Sequence, residues 1–315
     1  MAQREFRFVV TKRCNYDCVF CHGEGIKNVN ADLLSSKDYG VLFKTGKKKF
    51  GFTDVTLTGG EPLVRSDIVE IAKEIKKQGG KIVITSNGFF LKDKLEIGKY
   101  IDRINISLHS LDKKVYEKLV CQKDSFDKVL DGLFLFRLAH PQVEIRLNAT
   151  IINGVNTSEE SLEEYFTLAK QLNASVKFVE LFPKTAEGFY SISDFKKLLN
   201  KLKFKRVDAG NRTIDFLRGK LHVRLSRIFC AFAEEISHPC KFCRKYNDLF
   251  VTPQGEIKPC RSQLKMINIL EEIKDRAELN LINKIRLALS YLGSSCPYKK
   301  KNEWTNKQSE SECIY

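Results

Sequence analysis

The stretch that decides the fold is Phe6–Cys21, FRFVVTKRCNYDCVFC, in which an apolar run leads into three closely spaced cysteines. The run Phe6–Thr11 is nearly continuously apolar, as in a parallel strand that is covered on both faces. Cys14, Cys18 and Cys21 follow with the spacing C-x3-C-x2-C. We therefore predict a thiol-rich loop at the carboxyl end of the first strand, where α/β barrels place their chemistry.

Five further strand-like runs follow the first one, and segments with helical periodicity lie between them. The strand-like runs are Asp54–Thr58, Lys81–Ser86, Arg103–Leu108, Val143–Ile151 and Val176–Phe182. The helical segments are Ser66–Gln78, Ser125–Leu138 and Thr157–Leu172. We expect Thr157 and Glu160 to form a capping box at the start of the last segment. Strands that alternate with helices predict an α/β fold, and six units are fewer than the eight of a closed barrel.

The pattern changes after Pro183, and we place a domain boundary near residue 185. Residues 1–185 are predicted to form a partial (β/α)6 TIM-type barrel, and residues 186–315 a small C-terminal domain with a polar tail. We expect a short helix after Ser193, followed by two strands and two helices. These four elements are Thr213–Leu217, Leu221–Leu225, Leu264–Arg276 and Glu278–Leu292.

The composition excludes several classes of protein. The 315 residues are 43% hydrophobic and 30% charged, which is typical of a globular chain and not of a disordered one. No apolar run approaches the roughly 18 residues of a membrane span, and the polar N-terminus lacks the apolar core of a signal peptide. The net charge of +15 comes from lysines scattered along the chain without a dense basic block. We therefore predict a cytoplasmic protein without membrane contact, and expect an anionic small molecule, not a nucleic acid, as its partner.

Ten cysteines without a secretion signal favour metal ligation or catalysis over disulfides. Cys14, Cys18 and Cys21 would make a structural zinc site if His22 supplied the fourth ligand. A [4Fe–4S] cluster on the same three thiolates would instead keep one iron open for another ligand, which is a catalytic arrangement. The spacing alone leaves both alternatives open.

A second group of cysteines lies toward the C-terminus. Cys240 and Cys243 form a C-x2-C pair, and Cys260 follows after sixteen residues. This pattern is compatible with a second iron–sulfur cluster and with part of a zinc ribbon. The candidates for a fourth ligand are Cys230, Cys296, Cys313 or a bound substrate.

The first cysteine loop resembles that of the radical S-adenosylmethionine (SAM) superfamily, and three further motifs match at the ends of later strands. They are Gly59-Gly60-Glu61-Pro62, Thr85-Ser86-Asn87-Gly88 and Ile106-Ser107-Leu108-His109-Ser110. The resemblance implies a [4Fe–4S] cluster on the three cysteines, SAM beside it, and an electron donor such as ferredoxin or flavodoxin. The residues that it implies for holding SAM are Gly59, Gly60, Glu61, Thr85, Asn87, Ser107 and Asn148.

Within that superfamily, the chain is most similar to the GTP 3′,8-cyclases of molybdenum-cofactor synthesis, the MoaA-like branch. The similar segments are the entry strand around Arg7, Gly59–Arg65, Arg146–Asn148 with Gly154–Asn156, Lys177–Pro183 and Gly255–Cys260. This resemblance implies a second [4Fe–4S] cluster on Cys240, Cys243 and Cys260, in an auxiliary cluster domain. It also implies that four basic residues bind phosphate or carboxylate groups of the substrate. These residues are Arg7, Arg65, Arg146 and Lys177.

Three departures from that family fall on features that face its substrate. The family's second cluster uses C-x2-C-x13-C, whereas the loop before Cys260 is three residues longer here. Aligned on Cys260, the two arginines that contact GTP correspond to Asp248 and Phe250. The family ends in Gly-Gly, and this chain ends in Ile314-Tyr315. We therefore expect a radical SAM enzyme for a small anionic, nucleotide-like substrate that turns over GTP weakly or not at all.

Two other classes of function stay open. One is a radical SAM enzyme that modifies a peptide or an RNA, and the other is a non-catalytic binding module stabilised by metal. Two single residues are also ambiguous. His109 is compatible with substrate contact and with a packing role, and Cys121, which has no cysteine near it in the sequence, is expected to be structural.

Overall fold

The first part of the chain alternates six strands with helices, as the sequence predicts. A computed structural model of the protein describes residues 4–21, 31–182, 186–209, 213–226, 247–259 and 266–292. The strands of this part are β1 (Arg4–Thr11), β2 (Phe52–Gly59), β3 (Lys81–Ser86), β4 (Arg103–Ser107), β5 (Glu144–Ile151) and β6 (Ala174–Glu180). The helices are α1 (Ser36–Phe50), α2 (Ile68–Lys77), α3 (Lys113–Val120), α4 (Ser125–Ala139) and α5 (Glu159–Gln171). Two 3-10 segments are Pro62–Val64 and Lys92–Lys99.

The later part of the chain contains shorter elements. Its strands are β7 (Lys205–Ala209), β8 (Thr213–Arg218), β9 (Leu221–Ser226), β10 (Asn247–Val251), β11 (Glu256–Lys258) and β12 (Ile267–Asn268). Its helices are α6 (Ile192–Lys201), α7 (Leu270–Lys274) and α8 (Glu278–Tyr291). In the ranges that the structure describes, no helix is both long and apolar enough to cross a membrane.

The strands of the described residues form one sheet, in the order β12-β11-β10-β1-β2-β3-β4-β5-β6-β9-β8-β7. Strands β1 to β6 are parallel and lie side by side in chain order. Successive βα units give this order when each helix returns the chain to the same end of the sheet. The predicted α/β fold of parallel units is therefore confirmed.

The strands that follow residue 186 extend both edges of this sheet. β10 pairs in parallel with β1, and β9 pairs in parallel with β6. β8 joins β9 as an antiparallel hairpin. Elements from both sides of the predicted boundary thus share one sheet. The division into two domains stays a prediction, because the predicted second cysteine site (Cys240, Cys243 and Cys260) lies outside the described residues.

One face of the sheet packs against helices, and the opposite face carries polar side chains. Phe178 of β6 is buried and contacts the ring of Phe166 in α5. Side chains alternate along a strand, so the neighbouring Lys177 lies on the opposite face, which we call the inner face. The register pairs Asn148 of β5 with Lys177. Asn148 and Arg146, two residues earlier, therefore line the inner face as well.

The predicted capping box of α5 is wrong by one residue. Ser158 and Ser161 form the box, in which the Ser161 amide donates to the Ser158 hydroxyl at 3.1 Å. The Thr157 hydroxyl instead accepts a hydrogen bond from the Gly154 amide at 3.0 Å. Thr157 therefore closes the preceding turn and is not available as the cap, and the predicted pairing with Glu160 does not form.

Two later helices also differ from the sequence prediction. α6 begins earlier than predicted, because its cap is Ser191, whose hydroxyl accepts from the Asp194 amide at 3.1 Å, and not Ser193. α7 covers only five residues of the predicted helix Leu264–Arg276, and the first two positions of that prediction lie outside the described residues.

Candidate functional site

The three predicted cysteines lie in a surface loop directly after β1. Cys14 and Cys21 are exposed, and Cys18 is half-buried. Burial, together with the charges of Cys21 and Cys14, raises the pKa of Cys18 to about 12, so the three sulfur atoms interact electrostatically. The Tyr16 amide donates to the Cys14 Sγ at 3.4 Å. The loop thus carries three thiols close enough to influence one another electrostatically.

Two glycines allow the end of β2 to pack directly against the start of this loop. A Cβ on Gly59 would lie 2.3 Å from the Thr11 carbonyl oxygen. A Cβ on Gly60 would lie 2.4 Å from the carbonyl oxygen of Arg13 and 2.5 Å from that of Lys12. These are backbone atoms, so the approach excludes any residue but glycine unless the cysteine loop moves.

A buried carboxylate joins three of the predicted motifs. Glu61 is 1% exposed, and it accepts hydrogen bonds from the Leu63 amide at 2.8 Å, the Ser86 hydroxyl at 2.8 Å and the Asn87 amide at 2.6 Å. The Asn87 side chain in turn donates to the Asn15 Oδ1 of the cysteine loop at 2.9 Å. Burial raises the pKa of Glu61 to about 7, against the effect of the three hydrogen bonds. We call this assembly the strand-end site, comprising Cys14–Cys21, Gly59–Glu61 and Ser86–Asn87.

His109 lies at the end of β4, against the strand-end site. Its ring is 8% exposed and lies 4.4 Å, between centroids, from the ring of Phe20, which precedes Cys21. The Thr150 amide donates to the imidazole Nδ1 at 3.2 Å, so a neutral ring carries its proton on Nε2. Burial lowers the pKa of His109 to about 4. Of the two roles left open by the sequence, the geometry favours packing against the cysteine loop.

Cys121 lies closer to the cysteine loop than its position in the sequence indicates. It is exposed and ends α3, whose Val120 carbonyl accepts a hydrogen bond from the Asp17 amide of the loop at 3.2 Å. Its charge also contributes to the raised pKa of Cys18. α3 therefore supports the loop, and Cys121 has a thiol neighbour that sequence reasoning missed.

The sheet register places five predicted site residues in two rows across the inner face. One row joins Ser107, Asn148 and Lys177 as neighbours on β4, β5 and β6. The other row joins Thr85 of β3 to Arg146 of β5 through the strand between them. The Asn148 Oδ1 is buried and accepts no hydrogen bond within the described part of the chain. Basic and amide groups thus share one surface below the strand ends.

Two arginines that sequence reasoning missed lie beside Arg146. Burial, followed by the positive charges of Arg103 and Arg224, lowers the pKa of Arg146 to about 10. Arg224 of β9 is also the register partner of Lys177. The signal in the sequence is the alternation of charged and apolar residues within these strands, which becomes informative only once the register is known. We call Arg103, Arg146, Lys177 and Arg224 the inner-face cluster.

Arg65 has a different environment from the other predicted basic residues. Its guanidinium donates to the Asp67 carboxylate at 2.7 and 2.8 Å, to the Val10 carbonyl at 2.7 Å and to the Leu34 carbonyl at 2.9 Å. The residue is buried, and these bonds use four of its five N–H donors. These contacts favour a structural role for Arg65 over substrate contact, which stays a prediction.

Arg7 lies on the inner face, but in an acidic part of it. The register pairs Arg7 with Phe250, and the guanidinium lies 5.4 Å from the centroid of that ring. One row earlier, Glu5 has Asp248 and Asp54 as its neighbours on β10 and β2. The inner face is therefore acidic near β10, β1 and β2, and basic from β4 to β9. Asp248 and Phe250 occupy the positions at which the resemblance expects arginines.

The donors of the cysteine loop fit an iron–sulfur cluster. They are three thiols of one exposed loop, and sulfur is the donor that such clusters take. Burial, and after it the charges of Cys21 and Cys14, raise the pKa of Cys18, and a cationic group bound to the three sulfur atoms would favour their thiolate forms. Within the described ranges, no three His, Cys, Asp or Glu side chains are already arranged around one metal position. His22 lies outside those ranges, as do Cys230, Cys240, Cys243, Cys260, Cys296 and Cys313.

Residues 8–169 match the family model of the radical SAM superfamily. This range includes the cysteine loop, the glycine motif and all or most of strands β1 to β5. The match covers half of the chain, and the geometry described above accounts for the motifs that carry it. The chain belongs to the radical SAM superfamily, and it is a radical SAM enzyme.

Two relatives of similar length narrow the resemblance to the GTP 3′,8-cyclases. The chain is 30% identical over 295 residues to a protein of Pyrobaculum aerophilum named Probable GTP 3′,8-cyclase, covering 91% of this chain and 93% of that protein. It is 31% identical over 285 residues to the GTP 3′,8-cyclase of Limosilactobacillus fermentum, covering 85% and 82% of the two chains. The predicted resemblance to this branch is confirmed.

Solved structures confirm the fold. Streptococcus suis SuiB aligns over 85% of this chain with a TM-score of 0.64 at 20% identity, and the chain spans 63% of SuiB. The structure named native anSMEcpe with bound AdoMet aligns over 92% of this chain with a TM-score of 0.56 at 14% identity. At these identities the likeness concerns the fold and not the substrate.

Proposed function

We propose that this enzyme cleaves SAM reductively and that the resulting 5′-deoxyadenosyl radical abstracts hydrogen from a small anionic, nucleotide-like substrate. The observation that supports this best is the inner-face cluster, which lies in the same sheet as β1, the strand whose end carries the cysteine loop. When bound, a reduced [4Fe–4S] cluster supplies the electron that breaks a carbon–sulfur bond of SAM. An external donor of the ferredoxin or flavodoxin type would supply that electron to the enzyme.

On the cofactor side, we assign Cys14, Cys18 and Cys21 to the cluster. The backbone of Gly59 and Gly60 faces the same loop and is assigned to the amino-acid part of SAM. The Glu61 carboxylate is already satisfied by three donors, so we assign it to holding the strand ends together and not to direct contact with SAM. The side chains that we assign to SAM are Thr85, Asn87, Ser107 and Asn148, of which Asn148 has a buried oxygen that a ligand hydroxyl or amine could satisfy.

On the substrate side, we assign Arg146 and Lys177 to the anionic group. Guanidinium and ammonium groups bind phosphate and carboxylate through charge-assisted hydrogen bonds, and removal from bulk water strengthens such bonds. Arg7 lies at the opposite, acidic part of the inner face, where it would orient a second part of the substrate. This distribution favours a substrate with its anionic group toward β5 and β6.

Anaerobic reconstitution with iron, sulfide and SAM, followed by reduction, tests the reaction class. We expect 5′-deoxyadenosine to form. Its absence from a sample with full iron loading would contradict both enzymatic hypotheses and leave the metal-stabilised binding module. Formation of 5′-deoxyadenosine without turnover of any small anion would favour a peptide or an RNA as the substrate.

A second [4Fe–4S] cluster on Cys240, Cys243 and Cys260 stays part of the proposal. Iron is counted in a variant that combines Cys14→Ala, Cys18→Ala and Cys21→Ala. About four irons should remain if the second cluster exists, since one cubane holds four. Zinc in place of iron would show a zinc ribbon and refute the second cluster.

Incubation with GTP distinguishes a GTP 3′,8-cyclase from a relative with another substrate. We expect weak cyclisation or none, because Asp248 and Phe250 lie where the resemblance expects arginines, and neither can provide a forked cation. The cyclase of Limosilactobacillus fermentum, assayed in parallel, shows that the assay works. Turnover of GTP at a comparable rate would refute this expectation.

A further inference from the structure

An arginine–carboxylate pair lies on the inner face beyond the six barrel strands, on β8 and β9. Arg224 of β9 donates from Nε and Nη2 to the two carboxylate oxygens of Asp215 on β8, each at 2.7 Å. Asp215 is nearly buried, and its hydrogen bonds from Arg224 lower its pKa, so the carboxylate stays ionised. The pair is a planar fork with a fixed orientation.

The register places this fork beside Lys177, which we assign to the substrate, and in the same row as Asn148, which we assign to SAM. Arg224 pairs with Lys177, and Lys177 pairs with Asn148. The Asn148 Oδ1 in this row is buried and receives no hydrogen bond from the described residues. This row contains two cations and a buried amide oxygen without a donor among the described residues. It therefore suits an anionic group that has a hydrogen-bond donor close beside it.

The electrostatics of the inner-face cluster also favour a bound anion. Arg103, Arg146, Lys177 and Arg224 lie on one face of neighbouring strands. The carboxylates near them are the buried Asp215, which pairs with Arg224, and the exposed Glu144, which lies 3.5 Å from Arg103. The repulsion reaches Arg146, whose pKa falls because of burial first and then because of Arg103 and Arg224. Gathering like charges in a partly desolvated place costs free energy, which an anion among them recovers.

We propose that Arg224 is a further anion-binding residue of the substrate site and that Asp215 is the residue that positions it. The substrate surface then extends past the six barrel strands onto β9, which lies outside residues 8–169. The ligand class is a phosphate or carboxylate group that also contacts Lys177. This inference rests on the proposed function, because it assigns one more residue to the same substrate.

The test measures binding of inorganic pyrophosphate to the reconstituted enzyme by calorimetry at low ionic strength. Arg224→Gln should weaken binding about tenfold or more, since a charge-assisted hydrogen bond is worth about 1.5–3 kcal/mol. Arg224→Lys keeps the charge but not the fork, and should lie between the parent and Arg224→Gln. It also covers the case in which the neutral variant does not fold. Equal affinity of parent and Arg224→Lys would refute the role of the fork.

Asp215→Asn separates positioning from plain charge. If Asp215 only neutralised its neighbours, the variant would bind pyrophosphate more tightly, because a negative charge is removed. Positioning of Arg224 predicts weaker binding instead. Unchanged or tighter binding would therefore overturn the role of Asp215.

Arg218→Gln is the matched control. Arg218 is on the same hairpin and also forms a fork with a carboxylate, that of Glu163 in α5, and it packs over Phe166 on the helix-covered side. We expect its pyrophosphate affinity to equal that of the parent. A loss in Arg218→Gln as large as in Arg224→Gln would show that the hairpin is merely destabilised, and would overturn the proposal.

The proposal and the proposed function fail in different ways. If 5′-deoxyadenosine forms but Arg224→Gln binds pyrophosphate like the parent, Arg224 is not a binding residue and the radical SAM reaction stands. If the parent binds no pyrophosphate, the anion site itself is refuted. If pyrophosphate binding depends on Arg224 and no 5′-deoxyadenosine forms, the anion site stands and the proposed reaction is refuted.

Discussion

The strand-end site and the inner-face cluster lie on different strands of one sheet, and they are built in opposite ways. At the strand ends, the polar groups satisfy one another: the Glu61 carboxylate takes three hydrogen bonds, and Asn87 links it to Asn15 in the cysteine loop. On the inner face, burial and the charges of Arg103 and Arg224 lower the pKa of Arg146. The Asn148 Oδ1 there has no hydrogen-bond donor among the described residues. One region satisfies its own polar groups, and the other concentrates positive charge beside a buried amide oxygen.

This difference assigns the two regions different tasks. A closed hydrogen-bond network holds a loop in one geometry, which a cofactor needs before it binds. Like charges gathered in a partly buried place cost free energy, which an anionic ligand bound among them recovers. We therefore expect substitutions at the strand ends to change SAM chemistry, and substitutions in the inner-face cluster to change anion affinity.

The largest effect is expected from Gly60→Ala. The added methyl group would lie 2.4 Å from the Arg13 carbonyl oxygen, so the cysteine loop must move away from β2. We expect loss of cluster loading and a fall in 5′-deoxyadenosine formation of about a hundredfold or more, because a displacement of about 1 Å already costs that much. The measurement is iron content together with 5′-deoxyadenosine after reduction.

Gly40→Ala is the control for this substitution. Gly40 lies within α1, and the three atoms nearest to an added Cβ would all belong to Glu74, the closest being its Cβ at 3.2 Å. Alanine also has the higher helix propensity, so activity should be kept. If Gly60→Ala were as active as Gly40→Ala, the strand-end site would not depend on the close approach, and the contrast between the two regions would fail.

The strand-end site could be predicted from the sequence because each of its parts is local. C-x3-C-x2-C, Gly59–Glu61 and Thr85–Gly88 are short motifs, and a parallel sheet brings the ends of consecutive strands together without further information. The motifs did not reveal which atoms their side chains contact. Glu61 points to β3 and Arg65 is enclosed by backbone carbonyls, and both facts depend on atoms distant in sequence.

The inner-face cluster could not be predicted in full, because it depends on register between strands far apart in the sequence. Arg224 meets Lys177 only because β9 adds to the edge of β6, which no local pattern indicates. The strands β10 to β12 were missed for a related reason: they are two to five residues long and add to an edge that the first strand leaves open. Helix α1 was also not predicted.

The next effect in size is expected from Lys177→Gln, which tests the other region. Loss of the ammonium should weaken pyrophosphate binding by about ten- to a hundredfold, since a charge-assisted hydrogen bond contributes about 1.5–3 kcal/mol. SAM affinity, measured on the same sample, should change much less. An equal loss of SAM affinity would mean that the two regions form one site. A large loss of pyrophosphate affinity with unchanged SAM affinity would support their separate tasks.

The smallest effect is expected at His109, where the two regions touch. Its ring contacts Phe20 of the cysteine loop, and its Nδ1 accepts from Thr150 on β5. Burial lowers the folded-state pKa to about 4, from the ordinary 6.5, so the neutral ring stabilises the fold above pH 6.5. That contribution is lost as the pH falls from 6.5 toward 4, because the unfolded chain binds the proton first.

Chemical denaturation at pH 7.5 and pH 5.5 measures this contribution through two substitutions at one position. The parent should lose about 1 to 2 kcal/mol of unfolding free energy through His109 between these pH values. His109→Asn keeps an acceptor for the Thr150 amide but does not titrate, so its loss should be smaller by that amount. His109→Phe removes the acceptor as well. Its unfolding free energy should be lower than that of His109→Asn at both pH values and should change with pH as little as that of His109→Asn. If both variants kept the pH dependence of the parent, His109 would not be the buried neutral link between the cysteine loop and the inner face.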